Sequence, residues 1–160
     1  MSGALVWLEQ SALGEVVRTS SLWTYPIVNL LHIFGIAALF GAVAVIDLRL
    51  LGVKRRIPLD AVADAAVPVS TAGFFIAITT GPALLAANAS EYIGNPFLLI
   101  KFVAIGVGLL NVLLLKRSRA WKARREELQP DDRRQLAIFG GISLVAWIAA
   151  ITAGRLIAYW

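Results

Sequence analysis

The chain has 160 residues, of which 59% are hydrophobic and 16% charged, and its formal net charge is +5. A water-soluble domain holds roughly 45–50% apolar and about 25% charged residues, so a soluble fold of this composition would have more apolar surface than interior to hide it in. The same apolar excess excludes disorder, and the absence of cysteine excludes disulfides, thiolate metal sites, covalently attached haem and a catalytic thiol.

Residues 1–20 come first. Leu5, Leu8, Ala12, Leu13 and Val16 recur at helical spacing, with Glu9, Ser11, Glu15 and Arg18 elsewhere. This pattern predicts one amphipathic helix lying on the membrane surface, anchored by Trp7. It lacks the basic start and uninterrupted apolar core of a secretory signal. Four apolar windows follow at about 23–46, 67–87, 97–115 and 136–159. A run of about 20 apolar residues crosses ~30 Å of hydrocarbon as a helix. The windows show no strand-like alternation and are too long for barrel strands. The fold they predict is all-α: a four-transmembrane-helix bundle forming a single integral membrane domain. Thr24-Tyr25-Pro26 suits the start of the first span, and Gly94-Asn95-Pro96 opens the third. Thr79-Thr80-Gly81-Pro82 suggests a kink in the second, and Asp131 or Asp132 suits the cap of the fourth.

Twelve of the fifteen Lys and Arg residues fall in the segments 47–60 and 116–134, whereas the connection 88–96 has none and carries Glu91. The positive-inside rule then places both basic segments in the cytoplasm and both termini outside, in a bacterial inner membrane. The basic balance is therefore a topology signal with a contribution from anionic lipid heads. No aromatic-interleaved groove or motif accompanies it, so nucleic acid is not the expected partner.

Three basic residues remain: Arg18, Lys101 and Arg155. Polar groups at membrane depth are costly unless paired or used, so they are the candidates for function. His32, the only histidine, lies nine residues inside Trp23, ~13 Å deep and close to mid-membrane. Lys101 and Arg155 each lie about five residues, ~7 Å, from the outer interface. Asn111 is deeper, in the cytoplasmic half. Asn29 shares the face of His32, and Gly108 lies in a small-residue row with Lys101, Ala104 and Asn111. The plainer reading is that the small residues are helix packing, the asparagines are interhelical hydrogen bonds, and the cations reach outward to lipid phosphates.

The same set suits haem b, which needs an axial nitrogen, a flat apolar slot and cations for two propionates. His32 supplies the metal ligand, Lys101 and Arg155 the propionate partners, and Asn29 and Gly108 the lining. One histidine per chain means a five-coordinate iron, Lys101 as sixth ligand, or His32 from a second protomer. A quinone or other lipid-soluble redox partner suits the same pocket. Copper transport is disfavoured by one methionine and no cysteine, and zinc by one histidine with no carboxylate at that depth. The expected function is a haem b-binding electron-transfer or membrane oxidoreductase component. The alternatives are an oligomeric small-molecule or ion carrier and a structural or assembly subunit.

The stretch Leu22-Trp23-Thr24-Tyr25-Pro26 through Leu30-Leu31-His32-Ile33-Phe34-Gly35, closing on Asp47-Leu48-Arg49-Leu50-Leu51-Gly52, resembles the first span of a family of small bacterial four-helix membrane proteins with no established activity. Asn95-Pro96-Phe97 with Lys101 and Asn111 resembles that family's third span. More distantly, a histidine in span one with a lysine near the start of span three is similar to HemJ-type protoporphyrinogen oxidases and to CopD-like membrane domains. The HemJ resemblance implies haem b with His32 as ligand and Lys101 nearby. The CopD-like resemblance implies copper.

Overall fold

The computed structural model describes residues 2–126 and 128–160 and, among these, is helical without strands. Two short helices, α1 (Ser2–Glu9) and α2 (Ala12–Thr19), precede four long ones and a short one. The long helices are α3 (Thr24–Leu50), α4 (Leu59–Ala87), α5 (Pro96–Arg117) and α7 (Pro130–Leu156); α6 (Arg119–Lys122) sits between the last two. All four long helices are long and apolar enough to cross a membrane. Their outward faces are apolar, with Phe34, Phe75, Val103, Leu110 and Val145 all more than 45% exposed. A bilayer, which supplies no hydrogen bonds, is the solvent such faces fit.

Every long helix runs past its apolar window towards the basic end. The second begins eight residues before the expected start. Leu59, Ala63 and Ala66 form a buried stripe there that packs with Ile46, Leu50, Leu115, Trp121 and Leu136. Hydropathy stops at Asp60 and Asp64, but helical amphipathicity does not. Pro68 and Pro82 lie inside α4 without ending it. Asp132 closes a capping box at the start of α7, accepting from the Gln129 backbone N–H at 3.3 Å. At α5, Asn95 accepts from Phe97 N–H at 2.9 Å.

The expected single amphipathic helix over residues 4–18 is two helices. Ser11 breaks it, because its hydroxyl caps α2 by accepting from Gly14 N–H at 3.4 Å. The pair does not lie apart from the spans. Leu5 packs on Ala89 and Leu98, and Val17 on Ala83 and Ala87. Trp7 stays exposed.

The long helices meet in the order α4, α3, α7, α5, and α4 and α5 make little backbone contact with each other. Two close crossings set this order. On α4, a Cβ at Gly73 would meet the Leu39 backbone and lie 2.7 Å from Gly35 O of α3. On α7, a Cβ at Gly140 would lie 2.9 Å from Asp47 O of α3. Between the crossings, Leu39, Val43 and Trp147 form an apolar centre reached by Phe74 from α4 and Leu109 from α5.

Candidate functional site

His32 is half-buried on α3, and its Nδ1 lies 2.8 Å from Thr80 Oγ1 on α4. The Thr80 hydroxyl donates to Ile76 O one turn back, at 2.6 Å. A hydroxyl has a single proton, so Thr80 Oγ1 accepts from His32 Nδ1–H. The neutral imidazole assigned from this network is the Nδ1–H tautomer, and its Nε2 carries the lone pair. Gly81 faces the same edge of the ring, since a Cβ there would come within 3.2 Å of His32 Cε1. The histidine thus docks on α4 through its Nδ1–Cε1 edge.

Lys101, also half-buried, lies along α7 over Gly154, where a Cβ would be 3.6 Å from its Cδ, Cε and Nζ. Gly154 of α7 therefore leaves room for the lysine stem. Arg155 is not part of this arrangement. Its guanidinium stacks on the Tyr159 ring at 4.9 Å, donates to the Tyr159 hydroxyl, and is exposed. Arg155 precedes Tyr159 by one turn, and that local pair holds the side chain at the end of the helix.

Asn29 is exposed, at the outer edge of the His32 face, with no hydrogen bond to His32 among the described residues. Gly108 is buried, but it opens no slot: the Trp147 indole covers it, 3.2 Å from where a Cβ would sit. Asn111 donates from Nδ2 to Phe139 O at 3.0 Å, an interhelical bond between α5 and α7. Among the described residues no three His, Asp or Glu side chains converge as metal ligands.

Two residues were not legible as site residues. Thr80 reads as part of a kink, and only the packed helices show that it sets the tautomer of His32. Asp47 reads as a residue of the basic end. In the structure it is 3% exposed at the α3–α7 crossing, with its Oδ2 unpartnered. Trp147 Nε1, one turn beyond Ser143, is also unpartnered. A single Asp at the end of an apolar window gives no signal of which way it faces.

A family of unknown function, DUF6644, matches residues 4–160. The chain belongs to that family. The match takes in all four long helices and His32, Thr80, Lys101 and Arg155. No curated protein and no solved structure matches the chain. Nothing in these comparisons supports a relationship to HemJ-type oxidases or to CopD-like domains.

Proposed function

We propose that this protein binds haem b within the membrane, with His32 Nε2 as the axial ligand, and serves as an electron-transfer or oxidoreductase component. The observation that carries the reading is the hydrogen bond from His32 Nδ1 to Thr80. A ligating histidine almost always donates its other ring N–H to a fixed acceptor, which sets the tautomer and raises the basicity of the ligating nitrogen. His32 has that arrangement on a helix apolar enough to span a membrane. Lys101, whose stem lies over Gly154 of α7, is the proposed partner of a propionate or of the sixth position, and the exposed Arg155, stacked on Tyr159, is the proposed second propionate partner. Haem chemistry would supply one-electron transfer; the chain supplies ligation, orientation and exclusion of water. In this reading the four spans form a bundle in a bacterial inner membrane. The basic segments are cytoplasmic and both termini outside, as the distribution of Lys and Arg supports.

The test is an absorption spectrum of the full chain purified in mild detergent from haem-replete cells. The wild type is expected to show a Soret band that sharpens with dithionite. His32→Ala is expected to lose it while keeping its helical circular dichroism and its elution volume. A colourless wild type that also fails to take up added haemin overturns the reading. A Soret band unchanged in His32→Ala overturns the ligand assignment. If His32→Ala only lowers thermal stability, the histidine is an interhelical bond of a structural subunit.

A further inference from the structure

The basic end of the molecule holds a cavity of about 340 Å³ lined by Arg49, Arg55, Arg124, Arg125 and Arg133. Two carboxylates, Asp60 and Glu126, share the lining. Asp64 outside it is engaged by Arg125 at 3.0 Å. Four chain segments bring these arginines together: the end of α3, the turn after it, the 3-10 turn after α6, and the start of α7. They are not a solvated run on one helix.

Several of the guanidinium groups are held in place. Arg49 donates from Nε to Ile57 O at 2.7 Å and from Nη2 to Arg55 O at 3.3 Å, which ties the α3–α4 turn to its own side chain. Arg55 lies across Gly52, whose φ of 98° suits glycine; a Cβ there would be 2.7 Å from Arg55 Nε and Nη2. Arg124 stacks on Trp121 at 4.8 Å and donates to Trp121 O at 3.1 Å, while its Nε is buried with no hydrogen-bond partner. Arg55 and Arg133 line the same cavity as Arg49, so three like charges face one concavity. Like charges gathered in a concave, partly apolar site are unfavourable unless an anion lies among them.

We propose that this cavity binds a phosphate-bearing anion. Guanidinium forks match phosphate oxygens in geometry as well as charge, and five of them line one concave site. The volume is at the low end for small-ligand sites and takes a phosphate monoester or a headgroup rather than a dinucleotide. Leu50, Leu59 and Leu136 in the lining give an apolar side suited to the carbon end of such a molecule. The inference is independent of His32, which lies seventeen residues before Arg49 on α3.

The shared chemistry has two sources, a lipid headgroup and a soluble phosphate ester, and the experiment separates them. The full chain in phosphate-free detergent is titrated with inorganic phosphate, glycerol 3-phosphate and short-chain phosphatidic acid, with phosphatidylcholine as control. Binding is read by thermal shift and by native mass spectrometry. Phosphate or an ester of it is expected to raise the melting temperature, and Arg133→Gln and Arg55→Gln together to weaken binding at least tenfold. Retention of phosphatidic acid without a response to glycerol 3-phosphate assigns the site to lipid; the converse assigns it to a soluble ester. No phosphate-bearing probe acting more strongly than chloride or phosphatidylcholine overturns the proposal, as does binding unchanged in the double variant. Arg133→Gln alone, at an exposed position on α7, gives the same reading if the double variant does not fold.

Discussion

Thr80 Oγ1 accepts from His32 Nδ1 at 2.8 Å because its own proton is committed to Ile76 O. The tautomer of the single histidine is therefore a property of the α3–α4 interface. Thr80→Val keeps the shape and removes the acceptor. If His32 ligates iron, haem affinity is expected to fall roughly 10–100-fold, the usual range for loss of an outer-shell partner. Thr80→Ser should retain it. Haemin titration of both variants checks this, and equal affinity in Thr80→Val and wild type would show that Thr80 has no part in ligation.

The four long helices were readable because hydropathy over a 20-residue window is a local property. What faces what was not. Helical spacing put Asn29 and His32 on one stripe, but the stripe is wider than the contact with α4, and Asn29 falls outside it. Arg155 and Lys101 lie at similar distances in sequence from the ends of their apolar windows, yet one is captured by Tyr159 a turn away and the other lies over Gly154 of another helix. The buried basic-end core was hidden for another reason. Ala120 and Trp121 are surrounded by Lys and Arg in the chain, and only packing shows that they are buried.

The N-terminal helices are tied to the end of α4 by two charged residues. Arg18 Nη1 donates to Ala87 O at 3.1 Å and to Ala86 O at 3.3 Å, and its Nη2 donates to Glu9 O at 2.9 Å. Those carbonyls would otherwise be orphans of the helix end. Arg18→Ala is expected to cost about 1–2 kcal/mol, between the ranges for neutral and for charged hydrogen bonds because the site is partly exposed. Hydrogen exchange at amides 83–92 should rise, and exchange there identical to wild type would contradict the capping role.

Glu9 accepts from the Ser90 backbone N–H, and Ser90, through its side chain first and its backbone N–H second, holds the Glu9 carboxyl below the usual carboxylate value, with a smaller pull from Arg18. A group with a depressed folded-state pKa stabilises above its unfolded value of 4.5 and loses that contribution as pH falls through the folded value. Docking of α1 is therefore expected to loosen only below about pH 4.5. Fluorescence of Trp7 against pH, compared with Glu9→Gln, measures it. A transition of the same midpoint in Glu9→Gln would assign the titration to another group.

Asp47 is buried between α3 and α7, and its Oδ2 has no hydrogen-bond partner. An isolated buried carboxyl is costly to keep, so an amide of the same shape should be neutral or stabilising by about 1 kcal/mol. Asp47→Asn is accordingly expected to fold and to melt no lower than wild type. It is also expected to leave any Soret band in place, since His32 is fifteen residues away along α3. A marked loss of stability would mean that the carboxylate has a partner that only its charge can hold.

The α3–α4 crossing depends on the absence of a side chain at Gly73. A Cβ there would be driven into the Leu39 backbone and to 2.7 Å from Gly35 O, neither of which is a flexible side-chain end. The helices must separate to admit it, and the His32–Thr80 bond lies two turns further along the same interface. Gly73→Ala is expected to cost about 1–3 kcal/mol, the usual range for overpacking, and to weaken any ligand that needs the His32 geometry. Gly106 is the control, since a Cβ there meets nothing within 4 Å and faces outward on α5. Gly106→Ala should match or slightly exceed wild type in helix stability, as alanine is the better helix former. Denaturant unfolding of both in the same detergent decides the matter: if Gly73→Ala is as stable as Gly106→Ala, the two helices are not locked together at this crossing.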